Sequence, residues 1–175
     1  MKNTNKITLC AMMAALATAF MLLSYFPYLT YAIPAVAGLF VMVTVIETNY
    51  KWAFLTYLSS SVLVFLFAEP ESKLMYICLF GYYPIIKGLI EKINKPFIEW
   101  TLKIICFFIA VLTAYYIFAG LFGIKLDDLN EFGKYSVLIL LGFGTVAFVL
   151  YDIAVSKMSY LYFYRLHYRL KRFFK

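Results

Sequence analysis

Charge is scarce in this chain. Asp, Glu, Lys and Arg make up 14% of its 175 residues, and hydrophobic residues make up 65%. A soluble domain carries about 25% charged and about 45–50% apolar residues. A water-facing globule is therefore excluded, because it lacks the polar groups to cover such an apolar excess. A disordered chain is excluded on the same ground. Histidine occurs once, as His167 in a basic tail, where it is badly placed to serve as the base of a hydrolase. Cysteine occurs three times, and Cys10, Cys78 and Cys106 each sit alone in an apolar segment without CxxC spacing. Such thiols act as small apolar residues, so neither a disulfide frame nor a metal site is expected. The chain has no HExxH, GxSxG or phosphate-cradling glycine loop, which argues against an enzyme and against bound ATP. No cofactor is expected, and any active transport draws its energy from partners.

Long uncharged runs are what the chain does have. The forty residues from Ile7 to Ile46 carry no charge. A bilayer core of about 30 Å takes about 20 helical residues, so this run holds two spans. The break falls at Ser24–Tyr31, which contains Pro27, and Pro34 suits the first turn of the next helix. Polar stretches at Glu47–Lys51, Glu69–Glu71, Glu91–Pro96 and Lys125–Lys134 separate the later runs. The reading is an all-α integral membrane bundle in one domain. Its six transmembrane helices cover about 7–27, 32–46, 52–68, 74–90, 97–123 and 135–156, with a basic tail at 157–175.

Charge asymmetry orients that bundle. With the N-terminus inside, the outer loops hold Lys73, Lys125 and Lys134 against Glu69, Glu71, Asp127, Asp128 and Glu131, a net of −2. The inner side then carries +9, consistent with the formal +7 of the chain. Positive charge collects on the cytoplasmic side, so both termini are placed there, in a multi-pass protein of the bacterial plasma membrane. Arg165, Arg169, Lys171, Arg172 and Lys175 follow the aromatic run Tyr160–Tyr164. That interleaving fits membrane lipids at an interfacial belt, and no nucleic-acid partner is expected. Lys2, Lys6 and the small pair Ala15 and Ala17 imitate a signal peptide, but the segment is read as a retained first helix.

Three features go beyond plain lipid-facing bulk. Ala11, Ala15 and Ala19 recur every four residues in the first helix. Small residues let another helix approach closely, either within this bundle or from a partner. In the fourth helix, Tyr76, Phe80, Tyr83 and Lys87 fall at i, i+4, i+7 and i+11, one face of a regular helix. Pro84 removes a hydrogen bond to the carbonyl near Phe80, so this face is a candidate pocket lining or a packed kink. Lys87 lies about thirteen residues, roughly 20 Å, from the outer end of its helix. An intramembrane charge at that depth is costly. Glu47, Asp152 and Glu91 are its candidate partners, and snorkelling to the inner interface is the alternative. The third feature is outer-side tyrosine: Tyr25, Tyr28, Tyr31, Tyr76, Tyr82 and Tyr135 suit either an interfacial belt or a flat ligand. The acidic loop Lys125–Lys134 lacks the ligand spacing of a calcium loop and reads as a solvated cap.

The stretch Ala11-Met-Met-Ala-Ala15-Leu-Ala-Thr-Ala19, in a six-helix basic chain of this size, resembles the substrate-binding S component of energy-coupling-factor (ECF) vitamin transporters. The second helix departs from that family, having Pro34-Ala-Val-Ala-Gly38 where many members carry a Gly-Pro pair. The resemblance implies that Ala11, Ala15 and Ala19 dock on a transmembrane T component. It also implies that two ATPase subunits power a toppling that releases a vitamin or related small molecule inward. The residues assigned to that substrate are Tyr28, Tyr31, Tyr76, Phe80, Tyr83 and Lys87, with Glu47, Lys87 and Asp152 as the intramembrane charges. The competing reading is a structural or scaffolding membrane protein without a ligand, like the small MreD-like cell-shape proteins.

Overall fold

The computed structural model describes residues 3–26, 28–93, 95–122 and 136–165, the side chains of 115, 117–122 and 136–140 excepted. Every described element is helical. Helix α1 spans Asn3–Leu22 and ends in a 3-10 turn, Leu23–Tyr25; α2 spans Ala32–Glu47 and α3 spans Tyr50–Phe67. Next come α4, Pro70–Met75, a π turn over Tyr76–Phe80, and α5, Tyr83–Ile90, which ends in a 3-10 turn at Glu91–Ile93. The last two helices are α6, Pro96–Phe122, and α7, Ser136–Arg165. Pro27, the loop Lys125–Lys134, Tyr135 and the tail beyond Arg165 with His167 lie outside the described residues.

Among the described residues, five segments are long and apolar enough to cross a bilayer: Asn3–Tyr25, Tyr50–Phe67, Pro70–Ile93, Pro96–Ala114 and Leu141–Arg165. The chain is therefore a multi-pass α-helical membrane protein. The remaining apolar helix, α2, has 16 residues, about 24 Å at 1.5 Å each. It is central to the bundle, packing against α1, α3, α5 and α7. Its inward residues are mostly small, including Ala37, Gly38 and Val41, all buried. Gly38 is required by close approach. A β-carbon there would sit 2.5 Å from the Phe80 carbonyl oxygen and 2.6 Å from the Tyr151 hydroxyl, so any side chain would push α2 off the π turn and α7.

The core holds three clusters among the described residues, a small one of Val41, Ala53 and Ile85 and two larger ones. One larger cluster joins Ala17 and Met21 of α1 to Ile33 and Ala37 of α2, Val64 of α3 and Tyr76. The other joins Met42 to Tyr83, Phe107, Phe148, Tyr151, Val155 and Tyr162. In the second, Tyr83 meets Phe148 edge-on at 4.9 Å and Phe107 stacks on Phe148 at 4.7 Å, the offset geometries aromatic rings prefer. Lipid offers no hydrophobic drive between helices, so such close packing and interhelical hydrogen bonds carry association. Outward residues such as Phe54, Leu58, Val62 and Phe65 of α3 are exposed, as a lipid-facing surface should be.

The segment expected to be one helix over 74–90 begins instead at Pro70, the favoured first-turn position for proline, and is interrupted by the π turn. Likewise α7 continues to Arg165, past the boundary drawn at 156. Its apolar and aromatic residues Met158, Leu161, Tyr162 and Phe163 continue a helical pattern that charge counting alone cut short.

Candidate functional site

The π turn sets the geometry of the site. The Gly81 amide bonds the Tyr76 carbonyl at 2.7 Å, an i→i+5 bond, which leaves the Ile77 carbonyl without its usual donor. Pro84, lacking an N–H, does the same to Phe80. Inside a bilayer a bare carbonyl costs several kcal/mol. Two tyrosines supply the donors: the Tyr57 hydroxyl bonds the Ile77 carbonyl at 2.7 Å, and the Tyr151 hydroxyl bonds Phe80 at 3.3 Å. A third, Tyr50, bonds the Gly88 carbonyl at 2.9 Å. The carbonyl expected to be free for a ligand is thus met from α7.

The inserted residue also turns the helix face. A regular helix would align Tyr76 with Tyr83 and Lys87. Instead Tyr76, wholly buried, lies in the α1–α2–α3 cluster and shares a 2.7 Å hydrogen bond with Ser60. Phe80, Tyr83 and Lys87 turn toward α7. The Phe80 ring meets Tyr151 edge-on at 4.7 Å.

Below the turn, four charges close into a ring. Asp152 of α7 sits at its centre, 3% exposed. Its Oδ1 accepts from the Tyr83 hydroxyl at 2.5 Å and from Lys87 Nζ. Its Oδ2 accepts from Lys103 Nζ of α6 at 3.1 Å. Glu91 Oε1 accepts a hydrogen bond from Lys103 Nζ at 3.1 Å and lies 3.0 Å from Lys87 Nζ as an ion pair. Lys87 further donates to the Asp152 carbonyl at 3.1 Å and to Ser156 Oγ at 2.8 Å. Lys87 and Lys103 are 3% and 4% exposed, whereas the Glu91 side chain is 43% exposed. Two cations and two anions balance, and each lysine bridges both acids. That closure is what makes burial tolerable, since a buried charge with one partner missing is strongly destabilising. Lys87 does not snorkel; it is consumed by this ring. The third intramembrane charge, Glu47, accepts a hydrogen bond from Tyr162 at 2.9 Å.

The other candidate residues fall elsewhere. Tyr28 and Tyr31 lie between α1 and α2 and are 97% and 62% exposed. Tyr28 adopts φ 74°, the left-handed region uncommon for a residue with a β-carbon. The Tyr31 hydroxyl donates to Glu71 Oε2 at 3.0 Å, and that carboxylate holds its pKa above the usual phenol value. Glu71 is sixteen residues from Lys87 along one helical rod, about 24 Å at 1.5 Å each. So Tyr28 and Tyr31 do not converge with Tyr83 and Lys87. On α1, Ala11, Ala15 and Ala19 are all exposed, while Leu9, Cys10, Met13, Ala14, Ala17 and Met21 face the bundle.

Lys103, Tyr57, Tyr151 and Ser156 were not singled out by the sequence. Lys103 carried a signal: it is the last charge before the twenty-one uncharged residues from Ile104 to Ile124, so it enters the membrane-facing part of α6. A scan of family models and searches of characterised proteins and of solved structures return no match to this chain.

Proposed function

We propose that this protein is the membrane-embedded substrate-binding subunit of an ECF-type transporter. In this reading six helices span the bacterial plasma membrane with both termini inside, α2 being the short, protein-wrapped span. A T component receives the alanine face, and two ATPase subunits power release of a vitamin or related small molecule inward. The observation that carries the reading is the orientation of α1. Ala14 and Ala17 pack within the bundle, yet Ala11, Ala15 and Ala19 form an outward strip flanked by exposed Met12, Leu16 and Phe20. A bundle packing α1 for its own stability uses the opposite face. An outward small-residue strip is the shape that admits another helix. The test is Ala15→Trp in the full-length protein, co-expressed with an ECF module. Complex recovery should fall at least about tenfold, the effect of roughly 1.4 kcal/mol lost in packing, while the isolated protein keeps its melting temperature. Undiminished recovery would sink the docking claim.

A scaffolding role without a ligand is the second reading. It is favoured by the saturation of Tyr76, Tyr83 and Lys87 with internal bonds. Mass spectrometry of the purified chain separates the two. A small heterocycle near one-to-one occupancy supports transport, and its absence from every preparation supports the scaffold.

A further inference from the structure

The charge ring treats its two acids differently. Asp152 is sealed, fixed by Tyr83, Lys87 and Lys103 at once. Glu91 is the outer member, on the short turn Glu91–Ile93, with 43% of its side chain open to the surroundings. A single oxygen of Glu91 bridges the two ammonium groups. If Glu91 rotates away, its carboxylate is readily solvated, but the lysines are not. They remain buried with one carboxylate between them, a net charge of +1, and require a second anion. The position occupied by Glu91 Oε1 is therefore an oxyanion seat filled by the protein's own side chain.

What surrounds the seat fits an amphipathic anion. Ser156, bonded to the same Lys87 Nζ as Glu91, is exposed. It lies on the outward face of α7, where Lys157, Tyr160 and Leu161 are also exposed. Lys103 lies 5.6 Å from the centre of the Trp100 ring, and tryptophan marks the headgroup level of a bilayer. Lys92, over the Tyr50 ring at 4.2 Å, adds a second cation next to Glu91 in sequence.

We infer that Lys87 and Lys103 form a binding site for a singly charged oxyanion, the phosphodiester of an anionic phospholipid or a free phosphate or carboxylate, which enters by displacing Glu91. Ammonium-to-phosphate bonds are charge-assisted, so the exchange replaces the Lys103 hydrogen bond and the Lys87 ion pair with equivalent contacts. The exposed Tyr160 and Leu161 beside Ser156 give a lipid chain an apolar surface to lie along. The inference stands apart from the transport reading, since a scaffold can hold a structural lipid in the same seat.

The experiment uses the full-length protein in phosphatidylcholine nanodiscs with and without phosphatidylglycerol, and in detergent titrated with inorganic phosphate or acetate. Native mass spectrometry counts retained phosphatidylglycerol, and thermal unfolding reads the anions. Glu91→Gln removes the internal competitor and should raise affinity about tenfold, as expected for loss of one competing charge-assisted contact. Lys103→Gln should abolish it. Should that variant fail to fold, the charge-balanced double variant K103Q/E91Q keeps the Lys87–Asp152 pair and should bind no anion. Retention of phosphatidylglycerol alone identifies a lipid site, and stabilisation by phosphate or acetate identifies a soluble-anion site. Equal binding by wild type, E91Q and K103Q/E91Q, or no preference for phosphatidylglycerol over phosphatidylcholine together with no response to either anion, would overturn the inference.

Discussion

The two ends of the rod formed by α4, the π turn and α5 solve the same problem with different chemistry. Toward the upper end, around the π turn, the polar groups that bond across helices are neutral, and the charged Glu71 and Lys73 lie above it on α4. Tyr76 meets Ser60, Tyr57 meets the Ile77 carbonyl and Tyr151 meets the Phe80 carbonyl. At the lower end the groups are charged, and Lys87, Asp152, Lys103 and Glu91 tie α5, α6 and α7 together. Neutral interhelical hydrogen bonds in membranes contribute about 0.6 kcal/mol on average. A buried charge left unpaired costs several times more. The upper end is therefore a set of modest, separable contacts, and the lower end stands or falls as a unit.

Substitutions at the two ends should differ accordingly. Asp152→Asn removes the one acid that both lysines share inside the bundle, and should cost about 3–5 kcal/mol. Reversible unfolding in mixed micelles measures it. A loss below about 1 kcal/mol, the level of one neutral hydrogen bond, would erase the contrast between the ends. Tyr151→Phe keeps the ring against Phe80 and Tyr83 but removes the donor to the Phe80 carbonyl, for a loss of about 1 kcal/mol. The same assay checks it, and a cost equal to that of Asp152→Asn would make the upper end the true lock.

The smallest effect belongs outside the bundle, at Tyr31. Its neutral hydroxyl is held by Glu71, and its pKa is raised in the folded protein. The contribution is complete below the unfolded phenol value near 10. It is lost as pH rises through the higher folded value, because the phenolate cannot donate and faces a carboxylate. Comparing melting temperatures of wild type and Tyr31→Phe should show a gap at neutral pH that closes once the raised phenol titration is passed. A gap that persists there would show that the ring, and not its hydrogen bond, matters.

These contrasts bear on how much was legible beforehand. Lys87 and Asp152 were visible as charges inside apolar runs, and their pairing was among the partners weighed. Lys103 stands at the edge of an uncharged run and not inside one, so depth alone does not mark it. The π turn was invisible. Gly81 and Pro84 indicate a weakened ladder near residue 80, but not that one extra residue enters the turn and swings Tyr76 away from Tyr83. The same limit applies to the alanine strip, since a spacing of four defines a face without saying which way it looks.

Sequence by itself determined the class of molecule. Hydropathy is a sum over local stretches, and the bilayer imposes helices wherever about 20 apolar residues run together. It also determined which side chains must find partners, because a charge or a bare carbonyl in that environment cannot be left alone. Tertiary structure alone decided who those partners are. Lys103 meets Asp152, Tyr151 meets Phe80, and Ala11, Ala15 and Ala19 look outward, because of how each helix is rotated against its neighbours. That rotation is fixed by close contacts such as Gly38 against the π turn, which belong to no single stretch of the chain.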